Sequence, residues 1–222
     1  MVGALPVGGG AFVTDGLFPS GVWKLRASDG STIWTDGLPG QMSGVGDCPP
    51  ASDGRRVFCD YIGPAKPLEL AGVGVPGRER VYAIDVATGN WLWDVGLEIG
   101  VVPPRNESAI PLYDDGIAFV GSAVAPYMHA LDAATGKLRW RTKVHGPVKG
   151  GVVAAESVIY FGDLSGYLWA LNEQTGAVLA SKKTGLSFGV GSPIVAGGTL
   201  VIGSTSGRII ALPLDNVRSA HD

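Results

Sequence analysis

The sequence has little charge, few side chains that bind transition metals, and no long hydrophobic run. Charged residues make up 17% of the 222 residues and the net charge is −3, so neither a nucleic-acid-binding surface nor a polybasic membrane patch is indicated. No apolar run is long enough to span a bilayer, and the N-terminus lacks the basic segment of a signal peptide. The two cysteines and three histidines form neither a zinc pattern nor a Cys-x-x-Cys-His haem attachment sequence. We therefore expect no nucleic-acid partner, no transmembrane segment, no zinc and no haem.

Glycine and proline, by contrast, are abundant, with 35 and 15 residues. One short pattern occurs four times: as LRASDGSTIW from Leu25, IDVATGNWLW from Ile84, LDAATGKLRW from Leu131 and LNEQTGAVLA from Leu171. The turn glycines of these copies are Gly30, Gly89, Gly136 and Gly176. Repeats about 40 to 60 residues apart are typical of folds that stack similar units side by side.

A hairpin pattern precedes each copy of this string and occurs once more after the last copy. Its five copies begin at Ala4, Cys48, Ala109, Gly151 and Ser192. The predicted two-residue turns are Gly9-Gly10, Asp53-Gly54, Asp115-Gly116 and Gly197-Gly198, and only Glu156-Ser157 departs from the pattern. Gly-Gly and Asp-Gly pairs accept the positive φ that such turns require, so each copy predicts two antiparallel strands.

Each repeat thus predicts four strands: A and B in the hairpin, C before the repeated string, and D at its end. Four-stranded antiparallel repeats of about 40 residues are typical of β-propeller blades. We predict an all-β propeller domain with four full blades and a partial fifth, at about residues 2–37, 44–96, 106–143, 148–183 and 189–214. The alternative is an ordinary β-sandwich whose strands are similar by coincidence.

The string Ala-x-Asp-x-x-Thr-Gly-x-x-x-Trp resembles the tryptophan-docking motif of the pyrroloquinoline quinone (PQQ) propeller repeats. Two copies match it in full, with Ala83, Asp85, Thr88, Gly89 and Trp93, and with Ala130, Asp132, Thr135, Gly136 and Trp140. The first copy keeps Asp29, Gly30 and Trp34, and the last keeps Gly176 but has Ala180 in place of tryptophan. The resemblance implies that each tryptophan packs against the turn of the neighbouring blade.

The resemblance also implies a ring of seven or eight blades in a secreted or periplasmic protein. After the third strand of the fifth blade the sequence reads VRSAHD, which offers no strand D. We therefore expect the chain to be the C-terminal portion of a longer propeller. A five-bladed ring that closes on itself is the alternative.

Two long segments, residues 61–80 and 94–108, are predicted as loops on one face, around the second blade. Loops of this length on a compact domain commonly carry function. Because strands A begin near the central channel on that face, the candidate binding residues are Asp47, Arg105, Asn106, Glu107, Lys149 and Ser192. Ordinary solvated loop polarity is the alternative for each of them.

Asn106 and Glu107 carry oxygen atoms of the kind that calcium prefers. The resemblance to quinoprotein dehydrogenases implies PQQ and calcium at this end of the channel, with an aspartate as base. The sequence lacks the adjacent Cys-Cys pair that caps the quinone in some family members. Among the histidines, His129 is expected in a strand C, and His145, near the channel mouth, is the one to test.

The two cysteines are equidistant from the predicted Asp53-Gly54 turn, so Cys48 and Cys59 are expected to face each other across strands A and B. A disulfide between them would indicate an oxidising compartment. Two free buried thiols are the alternative.

The resemblance leaves three functions open. The favoured one is an extracytoplasmic scaffold that binds a protein partner, similar to the outer-membrane assembly lipoproteins with these repeats, because a scaffold needs the motifs but no cofactor site. The second is part of a PQQ-dependent dehydrogenase that oxidises alcohols, polymers or sugars. The third is a propeller that binds carbohydrate or peptide on its loop-rich face.

Overall fold

The structure, a computed structural model, describes residues 4–7, 10–15, 21–37, 49–66, 74–103 and 108–219. Within them the chain folds into five antiparallel sheets, four of four strands and one of three. Strands pair in sequence order in every sheet, so each sheet is a meander. The chain is therefore an all-β protein, as the repeats predicted.

The strands of each sheet have the following bounds. Sheet 1 contains β1 (Ala4–Val7), β2 (Gly10–Asp15), β3 (Gly21–Arg26) and β4 (Thr32–Gly37). Sheet 2 contains β5 (Ala51–Ser52), β6 (Arg56–Pro64), β7 (Pro76–Asp85) and β8 (Trp91–Val101). Sheet 3 contains β9 (Leu112–Asp114), β10 (Ile117–Gly121), β11 (Tyr127–Asp132) and β12 (Leu138–Lys143). Sheet 4 contains β13 (Val153–Ala155), β14 (Val158–Gly162), β15 (Tyr167–Asn172) and β16 (Val178–Lys183). Sheet 5 contains β17 (Ile194–Ala196), β18 (Thr199–Gly203) and β19 (Ile209–Pro213). The helix α1 (Leu214–Arg218) follows β19.

The core lies in the seams between successive sheets. A cross-strand row of apolar residues faces the next sheet: Ala51, Phe58, Ala83 and Trp93 in sheet 2, and Leu112, Phe119, Ala130 and Trp140 in sheet 3. The next sheet supplies the facing residues, so that Phe119 and Trp140 share a cluster with Ile159 and Phe161 of sheet 4. Because side chains alternate between the two faces of a strand, each inner sheet is apolar on both faces.

Each docking tryptophan donates a hydrogen bond across a seam. The indole Nε1 of Trp34 donates to the Val86 carbonyl at 3.1 Å, that of Trp93 to the Ala133 carbonyl at 3.2 Å, and that of Trp140 to the Glu173 carbonyl at 2.9 Å. Each ring lies on the turn glycine of the next sheet, Gly89, Gly136 or Gly176, where an added Cβ would come within 2.9, 2.8 or 2.5 Å of a ring atom. The tryptophans therefore bury apolar area and satisfy their N–H groups in one contact.

The aspartate of the motif holds the shape of the turn on which the tryptophan docks. Asp132 Oδ1 accepts the backbone N–H of Ala134 and Thr135 and the hydroxyl of Thr135. Asp85 makes the equivalent bonds in sheet 2, and Asn172 makes them in sheet 4. The Asp/Asn and Thr positions of the motif thus organise the corner, and Gly supplies its positive φ.

The seam between sheets 4 and 5 lacks a docking tryptophan and is completed by a helix. Ala180 takes the tryptophan position in β16, and the chain after β19 forms α1 in place of the turn. Leu214 and Val217 of α1 pack with Ala180 and Tyr160. Arg218 holds the helix to sheet 4 through the Tyr160 hydroxyl and through Glu156, which lies 2.8 Å away.

Three of the predicted hairpin turns have the expected positions, and two are displaced. Asp115-Gly116, Glu156-Ser157 and Gly197-Gly198 all have positive φ. In the second hairpin Asp53 N–H donates to the Arg56 carbonyl, so the turn centres on Gly54-Arg55 and the prediction of Asp53-Gly54 was wrong by one residue. Gly10 pairs with Val7 as a strand residue, so it is not in the turn predicted at Gly9-Gly10.

The displaced turn also removes the basis for the predicted disulfide. Ala51 pairs with Phe58, and continuing that register sets Pro50, not Cys48, opposite Cys59. Cys59 is a free, buried thiol beside Tyr82, and Cys48 lies outside the described residues. The Cys48–Cys59 disulfide is therefore not supported, and it gives no argument for an oxidising compartment.

Within the described residues, the segments predicted as long loops around the second blade are mostly strand. β6 continues to Pro64, β7 starts at Pro76, and β8 runs to Val101. Their pairing continues outward from the sheet, so that Ile62 faces Glu79 and Pro76 faces Val101. The prediction was wrong because paired strands satisfy the backbone groups that a loop would leave to water. We call this outer part of sheet 2, residues 61–64, 76–80 and 96–101, the extension.

Replacing the buried tryptophan of sheet 3 should destabilise the whole protein. Trp140 is 8% exposed, so Trp140→Ala removes most of its packing and its hydrogen bond, and we expect a loss of about 3 to 5 kcal/mol in the free energy of unfolding. The matched control is Leu138→Ala in the same strand, where Leu138 is 52% exposed and the loss should stay below about 1 kcal/mol. Urea unfolding measures both, and equal losses would contradict the docking role.

Candidate functional site

Two of the six candidate binding residues lie within the described part of the chain, and they are close together. Lys149 precedes β13 and Ser192 precedes β17. The two segments cross at Gly150 and Gly151, where an added Cβ would lie 2.5 Å from the Gly191 carbonyl oxygen and 2.1 Å from Ser192 Oγ. Glycine is needed because the backbones touch at this crossing. Asp47, Arg105, Asn106 and Glu107 lie outside the described residues.

A cavity of about 470 Å³ opens beside this crossing. Its lining comes from sheets 4 and 5: Lys149, Leu164, Gly189, Val190, Gly191, Gly203, Ser204 and Thr205. Among the described residues that line it, Lys149 alone is charged, and it is 6% exposed. The described lining thus combines the buried Lys149 with the hydroxyl-bearing Ser204 and Thr205 and with glycine backbone, a mixture of apolar surface and a few polar groups that is typical of small-molecule sites.

Sequence reasoning found Lys149 and missed the other polar side of the cavity. Ser204 and Thr205 follow β18, in the B–C connection of the last sheet. B–C connections lie on the same face as the segments before strands A, so the run Gly203-Ser204-Thr205 could have been found from topology. Their hydroxyls are already engaged: Ser204 Oγ accepts the Arg208 N–H, and Thr205 Oγ1 donates to the Ser187 carbonyl.

His145 is not part of the cavity. Its exposed ring packs against Tyr167 with centroids 4.0 Å apart, and lies 5.2 Å from the centroid of Trp169. Asp163 accepts the Trp169 indole N–H at 2.9 Å and so fixes that ring. His145 therefore packs on an aromatic surface of sheet 4. His129 lies in strand C of sheet 3, and its Nε2 is 2.7 Å from Glu98 Oε2.

The described residues do not supply a calcium site. Among them, no group of three or more His, Cys, Asp or Glu side chains is arranged to hold a metal ion. The two candidate ligands, Asn106 and Glu107, fall outside that part of the chain. A PQQ–calcium pair is thus not matched by the side chains whose positions are described, and we derive no chemical step through it. No helix in the same residues is long and apolar enough to cross a membrane.

The repeated four-stranded sheets and the docking tryptophans point to one family. A family model described as "Outer membrane protein assembly factor BamB" matches residues 77–218. The chain belongs to this family of PQQ-like repeat proteins. The resemblance drawn from the tryptophan-docking motif is confirmed.

Curated relatives of the chain carry different activities. Tetrathionate hydrolase of Acidithiobacillus ferrooxidans is 30% identical over 201 residues, which is 88% of this chain and 40% of that protein. The outer membrane protein assembly factor BamB of Yersinia pestis is 31% identical over 169 residues, covering 70% of this chain and 42% of that protein. The quinoprotein alcohol dehydrogenase PedH of Pseudomonas putida is 29% identical over 169 residues, covering 65% and 27%. The chain spans less than half the length of each of these relatives.

Solved structures share the fold. BamB from Moraxella catarrhalis superposes with a TM-score of 0.69 at 18% identity, over 98% of this chain and 59% of that one. A europium-containing methanol dehydrogenase superposes with a TM-score of 0.71 at 14% identity, over 97% and 49%. At these identities the superpositions show the fold alone, and they agree with the predicted β-propeller class.

Cys59 should be an unreactive thiol in the folded protein. Burial raises the pKa of its thiol to about 12, so almost no thiolate forms at pH 8. We expect Cys59 to resist iodoacetamide in the native state and to be alkylated in urea without a reductant, as read by peptide mass spectrometry. A Cys59 peptide that stays unlabelled in urea until a reductant is added would instead reveal a disulfide.

Proposed function

We propose that the chain is part of the propeller of an extracytoplasmic scaffold that binds a protein during outer-membrane protein assembly. Family membership supports this proposal, and so do the relatives named as assembly factors. The extracytoplasmic location rests on the same relatives. The observation that carries the proposal is an exposed apolar surface on the extension of sheet 2.

This apolar surface has a simple origin in the alternation of β8. Gly100 and Val102 face sheet 3, where an added Cβ on Gly100 would come within 1.9 Å of the Val124 carbonyl oxygen. Ile99 and Val101 therefore face away and are 48% and 63% exposed. The backbone there is held by pairing with the neighbouring strand, since Val102 N–H donates to the Val75 carbonyl. Clustered apolar side chains on a projecting, well-paired strand are typical of a surface that docks a protein.

Genetic complementation tests this function in the full-length protein. The intact gene is expressed in a bacterium that lacks its own BamB, and the level of folded outer-membrane proteins is measured. We expect the wild type to restore that level, and the variant Ile99→Asp/Val101→Asp to fail although it reaches wild-type abundance. Charge on this surface would oppose docking without disturbing the seams, because both side chains face solvent.

The control for this experiment is an equally exposed apolar residue elsewhere. Leu138 is 52% exposed on the outer strand of sheet 3, and Leu138→Asp should restore outer-membrane proteins as well as the wild type does. If the wild type restores nothing, the scaffold function is wrong. If the wild type restores outer-membrane proteins and Ile99→Asp/Val101→Asp restores them as well as Leu138→Asp does, the scaffold function holds and the proposed docking surface is wrong.

A second candidate function is hydrolysis of an anionic substrate in the cavity of sheets 4 and 5. Two observations favour it: the buried Lys149 in the lining and the 30% identity to a tetrathionate hydrolase over 88% of the chain. Incubation of the purified full-length protein with tetrathionate, with Lys149→Met as the comparison, separates this candidate from the scaffold. The dehydrogenase alternative is supported by the identity to PedH, and PQQ with calcium in a dye-coupled alcohol assay is its test.

The proposal also includes further sheets beyond the five, in a ring of seven or eight blades. Ile194, Val201 and Ala211 form the same cross-strand row in sheet 5 that Val153, Tyr160 and Ala170 form in sheet 4. The row in sheet 4 is covered by its neighbour, whereas Ile194 and Ile209 on the corresponding face of sheet 5 are 58% and 76% exposed. A further repeat sheet is the partner whose surface matches this face.

A further inference from the structure

Two carboxyl groups are buried against each other in the seam between sheets 2 and 3. Asp60 in β6 is 3% exposed and Glu79 in β7 is fully buried. The two side chains project from the same face of sheet 2, toward sheet 3, at diagonally adjacent positions of the paired strands β6 and β7, and each carboxyl group affects the pKa of the other. They lie at the base of the extension and play no part in the cavity beside Lys149.

Among the described residues, the hydrogen bonds that this pair accepts from outside come from the end of β10 and from the segment that leads into β9. Asp60 Oδ1 accepts the Ala109 N–H at 2.9 Å. Glu79 Oε2 accepts the Ala123 N–H at 2.9 Å and the Ser122 hydroxyl at 3.2 Å. Ser108, beside Ala109, donates its hydroxyl to the Asp60 carbonyl at 3.2 Å. The pair thus ties sheet 2 to the segment that leads into β9 and to the end of β10.

Each carboxyl group keeps one oxygen to which no described residue donates a hydrogen bond. Asp60 Oδ2 and Glu79 Oε1 are buried and accept no N–H or O–H from another described residue. Two carboxylates in contact away from water cannot both be ionised, because each charge is desolvated and repels the other. One proton between them turns the contact into a hydrogen bond. Burial first, and then the negative charge of Glu79, raises the pKa of Asp60 well above its usual value.

The other ionisable groups in this seam form their own pairs. His129 of β11 faces Glu79 and pairs with Glu98 of β8, whose carboxylate also accepts the Arg141 guanidinium of β12 at 3.1 Å. On the opposite face of sheet 2, Arg80 pairs with Asp94 at 2.8 Å. Burial raises the pKa of Glu79, and its bonds with Asp60, Ala123 and Ser122, with the field of His129, act in the other direction.

We infer that Asp60 and Glu79 of sheet 2 share one proton inside the seam with sheet 3, and that the seam loosens at Ala109 when this proton is lost. Asp60 carries the proton and Glu79 accepts it, since Glu79 already has two other donors to stabilise its charge. The shared proton thus makes the link between sheets 2 and 3 depend on pH. The link acts at Ala109, which follows the candidate residues 105–107 in the sequence.

The sign of the effect follows from the direction of the pKa shifts. In the unfolded chain both carboxyls lose their protons near pH 4, whereas the folded pair retains one proton to a higher pH. Stability from the pair is therefore complete below about pH 4 and is lost as pH rises through the pKa of the folded pair. One extra proton on the native state lowers the folding constant about tenfold per pH unit over that window.

The test uses the double variant Asp60→Asn/Glu79→Gln, which keeps the shape and replaces the shared proton with an amide N–H. Urea unfolding of the purified protein at pH 5, 6, 7 and 8 gives the folding constant. We expect the wild-type constant to fall with pH relative to that of the amide variant, by up to about tenfold per pH unit. Asp132→Asn is the control, since Arg139 holds the pKa of that carboxyl at about 2 and its removal should leave the slope unchanged.

Hydrogen exchange gives a local measurement that needs no variant. The Ala109 amide, corrected for the intrinsic pH dependence of exchange, should lose protection between pH 5 and pH 8 relative to amides in β14. Equal pH slopes for the wild type and the amide variant would overturn the shared proton. If the amide variant does not fold, unchanged protection of Ala109 in the wild type overturns the inference by itself.

Discussion

The structure depends on one contact that recurs between sheets, an indole ring lying on a glycine. A tryptophan of the last strand in sheets 1, 2 and 3 covers the corner glycine of the next sheet and donates to a carbonyl of that corner. The contact needs three features at once: positive φ at the glycine, no Cβ beneath the ring, and an Asp or Asn that shapes the corner. Because all three features are required together, the same string recurs along the chain.

Two seams depart from this pattern, and each shows which other interactions join neighbouring sheets. Between sheets 4 and 5 the tryptophan is Ala180 and the corner is a helix, so Leu214 and Val217 fill the space from the other side. Between sheets 2 and 3 the docking tryptophan is present, but the seam continues outward along the extension, where Asp60 and Glu79 join the sheets through hydrogen bonds. One seam thus combines the apolar contact of Trp93 with the polar contacts of Asp60 and Glu79.

Much of the fold could be predicted from the sequence because its signals are local and repeated. Turn dipeptides such as Gly197-Gly198 and the glycines under the tryptophans specify a backbone conformation directly. The second hairpin was misplaced because Asp53 Oδ1 accepts the N–H groups of Arg55 and Arg56 and moves the turn by one residue. The extension was missed because glycine and proline resemble loop signals even where, as at Gly100, glycine lets a strand approach the β10–β11 connection of the next sheet closely.

The candidate site was predictable only in part. Lys149 and Ser192 could be placed from topology, since they precede strands A. Asp60 and Glu79 could not, because an isolated acidic residue in an alternating strand indicates the solvent face, and only the packing of sheet 3 on the extension buries them. A pair of acidic residues that is buried only by packing between two repeats leaves no recognisable pattern in the sequence of either repeat.

A double-mutant cycle between Trp140 and Gly176 tests most directly that ring and glycine act as one unit. Gly176 has a φ of 70° beneath the ring, whereas Gly185 has a φ of 74° and open space around it. The free energy of unfolding is measured for Gly176→Ala and Gly185→Ala, each with and without Trp140→Ala. The account predicts that Gly176→Ala is more costly than Gly185→Ala only while Trp140 is present. Additive costs, with Gly176→Ala equally damaging in both backgrounds, would contradict it.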